Sequence, residues 1–283
     1  MMVNVILDTD IGGDIDDALA LSMALHASEI RLLGITTVYI ANEWRCGVLR
    51  NMLMAYGRQE IPVFHGAEKP LNGNWGQREK ADDGKNAAAW IIAQAKAQKV
   101  AVVCIGPITN LAQALRMAPE IAANMEIYAM GGRLSRLVPE WNLKCDPEAA
   151  HIVLSSGAPV TLVGLDVTER CRLTREKALA LVAGESPEMR CLQGEMARFF
   201  EKFSFLPTLH DPLTLLCLLE PEWCNYEWKN VSVELKGENR GALLTQEQAP
   251  LIRAAVSVRE KQAVRRIWQR VRGEERKAEK RAE

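Results

Sequence analysis

The chain is poor in the residues that mark disulfide, zinc or nucleic-acid proteins. Its seven cysteines (Cys46, Cys104, Cys145, Cys171, Cys191, Cys217, Cys224) include no C-x-x-C pair, and several lie in apolar runs such as "VVCIG" and "LLCLL". That pattern argues against zinc and against a disulfide framework, and for buried thiols in a reducing compartment. The net charge is -1 over 283 residues, so there is no basic field for nucleic acid and no polybasic membrane patch. No apolar window approaches a membrane span, and "MMVNVILD" lacks the basic segment and long apolar run of a signal peptide. The expectation is a cytoplasmic protein without nucleic-acid or membrane partners. Against these absences, 48% hydrophobic and 25% charged residues are ordinary for a chain that folds around a sizeable core.

Short β-branched runs alternate with helical spacing. Val3–Leu7, Leu32–Val38, Pro62–Phe64, Val100–Ile105, Glu126–Met130 and Val160–Leu165 read as strands. Asp16–His26, Glu43–Tyr56, Asn86–Ala97 and Ile108–Met117 read as helices between them. Strands without polar alternation are buried on both faces, which predicts an α/β fold with an open, mostly parallel central sheet and helices on both faces. Helical text runs from Thr174 to Phe203 and again over Pro212–Leu219, and Val231–Leu235 and Leu251–Val258 are later strand candidates. With no repeat and no low-complexity linker, one domain over 1–283 is expected, its charged tail (272–283) a frayed helix end.

Ligands in such sheets bind beyond the carboxyl ends of the strands. Four polar stretches fall there: "DTDIGGDIDD" (8–17), "GPITN" (106–110), "PEWNLKCDPEAA" (139–150) and "LHDPLTLL" (209–216). The first holds five aspartates, Asp8, Asp10, Asp14, Asp16 and Asp17. Helix capping explains one or two of them. The rest either raise each other's pKa or bind a cation, and oxygen-only ligands suit calcium or magnesium. An EF-hand would need glutamate at the twelfth loop position, where Leu19 stands. A D-x-D phosphatase using Asp8 and Mg²⁺ is a weaker rival, since Gly12 replaces the expected Thr or Val.

"DTDIGGDIDDALAL" resembles the N-terminal signature of the inosine–uridine-preferring nucleoside hydrolases, in a form two residues longer than D-x-D-P-G-x-D-D. "LLGITTV", "IPVFHGAEKPL", "GPITNLAQAL", "YAMGG", "EWNLKCDPEAAHIV", "VTLVGLDVT" and "HDPLTLL" resemble further family landmarks in the family's order, from Val3 to Trp268. The resemblance implies a Ca²⁺-dependent hydrolysis of the N-glycosidic bond of a ribonucleoside or related N-ribosyl compound. By it, Asp10, Asp17, the Thr109 carbonyl and Asp211 hold the ion, and Asp10 is also the general base. Asp16, Met130, Glu140 and Asn142 face the ribose, Asp8 orients its neighbours, and His210 is the acid toward the leaving base or a contact to it. A homo-oligomer, dimer or tetramer, is implied as well.

Two departures fall on the substrate side. Ile40 and Ala41 stand where the family usually carries a Gly-Asn or Gly-Asp pair, so either Asn42 substitutes for that sugar contact through a shifted loop or the contact is absent. "NWGQREKADDGKNAA" (74–88) has no histidine where many members carry His-Gly-x-x-Gly, and Trp75 is the residue there that could stack on a base. A member that holds a ribosyl ligand without turning it over therefore stays open beside the hydrolase.

Overall fold

The computed structural model describes residues 2–76 and 81–274. In chain order, β1 (Val3–Thr9) leads to α1 (Asp16–His26), β2 (Ile30–Thr37) to α2 (Asn42–Ala55), and β3 (Val63–Phe64) to α3 (Lys85–Ala97). Then β4 (Val100–Cys104) precedes α4 (Thr109–Met117), β5 (Met125–Met130) precedes α5 (Trp141–Cys145) and α6 (Pro147–Leu154), and β6 (Val160–Val163) precedes α7 (Leu165–Thr168). Helices α8 (Arg175–Val182), α9 (Pro187–Lys202) and α10 (His210–Leu219) are followed by β7 (Cys224–Val233), β8 (Leu243–Thr245), β9 (Leu251–Val258) and α11 (Glu260–Val271).

Among the described residues the strands form one sheet in the order β3-β2-β1-β4-β5-β6-β9-β7-β8. From β3 to β9 every pairing is parallel, and β7 and β8 add antiparallel pairings at one edge. The expected α/β class holds, with apolar layers on both sheet faces. One layer joins α1, α2 and α8–α11, and the other joins α3, α4 and α6. Strand β1 pairs with β2 on one side and β4 on the other. The chain thus reverses its direction of travel across the sheet there, which opens a crevice at the strand ends.

Several expectations need correction. The polar stretch 139–150 carries two short helices: Glu140 caps α5, and Asp146 caps α6 as its Asp-Pro pair implies, both through their side chains. The strand expected from Val231 begins at Cys224, and β8 was not anticipated. Both are edge elements whose polar, half-exposed residues blur the apolar signal. The strand ending at Leu165 stops at Val163, because Leu165 opens α7. Of the tail, residues 275–283 lie outside the described residues.

Candidate active site

The crevice holds a cavity of about 580 Å³. Two helices aim their first turns at it: α1 supplies Asp16 and Asp17, and α10 supplies Asp211. The two helices pack side by side, and their amide ends favour negative charge. Carboxylate oxygens of Asp16, Asp17 and Asp211 lie within 4.8 Å of one another, all three side chains buried. The Asp211 amide donates to Asp16, and Thr9 Oγ1 donates to Asp17 Oδ1 at 2.5 Å. Burial first, and the neighbouring aspartates second, push all three carboxyls well above the usual range. Three such groups cannot all ionise together unless a cation joins them. The donor set is all oxygen, so the residues present fit a hard divalent ion.

Asp10 is half-buried on the same wall, outside the trio. Burial raises its pKa while the Arg45 guanidinium opposes the rise. Gly106 lets the next loop approach it, since a Cβ there would stand 2.7 Å from Asp10 Oδ1. Asp14 lines the cavity too, its carboxyl pushed up to about 6 by burial.

On the opposite side, Glu140 accepts amides from Asn142 (2.9 Å), Gly132 (3.0 Å) and Leu143 (3.2 Å). Asn142 donates to the Ile105 and Met130 carbonyls and lies 3.4 Å from Met130 Sδ. Glu140, Asn142 and Met130 all line the cavity. His210 does as well, with Nδ1 2.7 Å from Thr168 Oγ1. Burial, helped by Arg172, holds its pKa down to about 4, so its ring is neutral at pH 7.

Two expected residues stand away from the cavity lining. Asn42 donates to the Gly66 carbonyl at 2.5 Å and is buried, so its side chain braces the loop and stands off the cavity lining. Thr109 is buried, its hydroxyl held by Asp146 at 2.7 Å. Asp8 lies under the floor with no exposed surface, accepting from Thr36 and from Asn110 at 2.7 Å. A buried, hydrogen-bonded Asp8 cannot attack a phosphate in the cavity, which removes the physical basis of the D-x-D phosphatase. Trp75 packs on Tyr39, ring centroids 4.8 Å apart, and donates to the Cys145 carbonyl.

Tyr39, Arg45, Trp141, Lys202, Phe203 and Phe205 also line the cavity and were not singled out from sequence. Only Trp141, inside "EWN", had a signal. The others come from loops or helix flanks whose spacing resembles that of any amphipathic surface.

The pyrimidine-specific ribonucleoside hydrolase RihA of Shewanella woodyi is 34% identical, over 83% of this chain and 85% of its own length. Uridine nucleosidase 1 of Arabidopsis thaliana is 28% identical, over 82% and 78%. Among solved structures, a plant nucleoside hydrolase superposes with a TM-score of 0.85 at 25% identity, covering 96% of this chain and 99% of that one. A purine-preferring ribonucleoside hydrolase from Gardnerella vaginalis gives 0.79 at 27%, covering 95% and 98%. The fold and its acidic cleft define a hydrolase of N-glycosyl compounds. A family model matches residues 5–271, and the chain belongs to the inosine–uridine preferring nucleoside hydrolases, cleaving the N-glycosidic bond of ribonucleosides.

Proposed function

We propose that the ion of this ribonucleoside hydrolase is Ca²⁺, held by Asp10, Asp17, Asp211 and the Thr109 carbonyl. The observation that carries the reading is the trio of crowded, buried carboxylates opening on the cavity. A bound Ca²⁺ would polarise water and offset the repulsion among the acids. Asp10, the half-buried acid on that wall, takes the proton of the attacking water. Asp16 shares the trio but receives the ribose hydroxyls, with Glu140 and Asn142 on the facing wall and Met130 packed against the sugar. Glu140 keeps its backbone bonds and uses its remaining lone pairs for the sugar. Together these acids stabilise positive charge developing on the ribosyl ring.

His210 is neutral at pH 7, which favours a role as contact to the base over that of acid. Pyrimidine ribonucleosides are the first substrates to try, from the names of the two relatives above. Seven free thiols support a cytoplasmic setting. A homo-oligomer, dimer or tetramer, is the expected assembly, which sedimentation would count.

The decisive experiment follows base release from purine and pyrimidine ribonucleosides with and without a chelator, beside Asp10→Asn. Chelator-sensitive release that vanishes in Asp10→Asn bears the reading out. Release that ignores both the chelator and the substitution refutes it.

A further inference from the structure

Arg45 is a cation set in a wall of acids. It belongs to α2 and is only 7% exposed. Its Nε donates to the Ile40 carbonyl at 2.9 Å and its Nη1 to the Ile11 carbonyl at 2.8 Å. One guanidinium thereby bridges the loop after β1 and the loop after β2. Its second terminal nitrogen has no hydrogen-bond partner among the described residues, and the residue lines the cavity beside Asp10 and Tyr39. A planar guanidinium fixed by two carbonyls presents its remaining N–H groups in a set direction and cannot lose its charge.

The loop that receives it is built under strain. Tyr39 and Ala41 both adopt left-handed backbone, with φ of 75° and 67°, a region that residues with a Cβ occupy only when their surroundings insist. This backbone sets the Tyr39 ring 5.5 Å from the Arg45 guanidinium, 4.8 Å from Trp75 and 6.1 Å from Trp141. An aromatic wall suits a flat heterocycle, and the unpartnered N–H of Arg45 lies beside it.

We propose that Arg45 is the residue that receives the leaving base, donating a hydrogen bond to the base as the glycosidic bond breaks. The inference rests on the ribonucleoside-hydrolase reading and adds to it the fate of the leaving group. Oxygen of water bonds to C1′ while the glycosidic electron pair departs on the base nitrogen. The water's proton goes to Asp10, and the base anion, held by Arg45, collects a proton from solvent. Ribose and neutral base result. Arginine supplies charge and a hydrogen bond here, never the proton.

The test compares a poor leaving group with one that needs no help: uridine against 4-nitrophenyl β-D-ribofuranoside. Arg45→Met is expected to lower kcat/KM for uridine by about 10²-fold or more, and for the nitrophenyl riboside by less than about fivefold. If Arg45→Met loses its cooperative thermal transition, Arg45→Lys carries the same comparison with a shorter reach and an intact charge. Equal losses on both substrates in a folded variant overturn the proposal, because a residue that only braces loops or attends Asp10 would slow both alike. Wild-type enzyme that releases neither uracil nor nitrophenol sinks the hydrolase reading and this inference with it. Release of nitrophenol and uracil by wild type, with equal losses in the variant, sinks the inference alone.

Discussion

Removing divalent ions should change the pH dependence of stability, and the structure gives both the sign and the size. The carboxyls of Asp16, Asp17 and Asp211 are raised well above their ordinary value near 3.8, and that of Asp14 to about 6. A carboxyl raised in the folded state binds more protons there than in the unfolded chain. Its contribution is fully present below pH 3.8 and is lost as pH rises through the folded pKa. The metal-free protein is therefore expected to weaken from pH 5 to pH 8. Each pKa unit corresponds to about 1.4 kcal/mol, and between pH 5 and pH 8 Asp14, with its folded pKa of about 6, alone accounts for about 1.4 kcal/mol of that decline, the rest of its contribution being lost below pH 5. Bound cation reverses the situation at pH 8, where the acids are ready to ionise. Ca²⁺ at about 100 times its Kd adds about 2.7 kcal/mol. With an unfolding entropy near 2 cal/mol/K per residue, a chain of this length gains about 5 °C in Tm. Calorimetry with Ca²⁺ and with chelator, at pH 5 and pH 8, reads this directly. A chelator-induced fall of about 5 °C at pH 8 and about 1 °C or less at pH 5 is expected, since protons compete for the same oxygens at the lower pH. An equal shift at both pH values, or none at pH 8, would refute the reasoning. Asp17→Asn should raise the metal-free Tm at pH 8 and abolish the response to Ca²⁺.

Other perturbations reach different parts of the molecule. Asp146 holds the Thr109 hydroxyl and the Leu71 amide, so Asp146→Asn should weaken Ca²⁺ binding about tenfold through the misplaced Thr109 carbonyl, as calorimetric titration would show. Gly106→Ala would drive a Cβ to 2.7 Å from Asp10 Oδ1 and should cost at least about 10²-fold in kcat while leaving Tm within about 3 °C. Glu220, only 13% exposed, accepts from Arg266 and Arg270 at 2.6 Å. Burial alone would raise its pKa, but bonds from Trp223, Arg266 and Arg270 bring it below the usual value. Its contribution is present above pH 4.5 and is lost as pH falls through the folded pKa, so Glu220→Gln should cost about 2 kcal/mol at pH 7 and much less at pH 3. Urea titrations at the two pH values would measure it.

How much of this was legible in the sequence depends on how local the cause is. Helix α1 was read with its observed limits, because its acids, its start and its apolar run all lie in one stretch. Asp211 was legible as an acid opening a helix, yet its distance from Asp16 comes from α1 packing on α10, which no local pattern encodes. The place of Asn42 was not legible, for the complementary reason. The residue type suited a sugar contact, but the left-handed Ala41 before it sends its side chain to the Gly66 carbonyl. Arg45 sits in "EWRC", a run that reads as an ordinary helix face, and its burial follows from carbonyls on two separate loops. The edge strands β7 and β8 were blurred because half their residues face away from the core.

The packing of α1 against α10 has a consequence for the life of the newly made chain. Asp17 is made before Asp211, and strands β2 to β6 of the parallel sheet are made between them. Until α10 docks, the early acids have no partner across the cleft and no complete cradle for an ion. On the Ca²⁺ reading, ion capture would report that α1 and α10, far apart in the chain, have met, and the cleft would double as a seal on that docking.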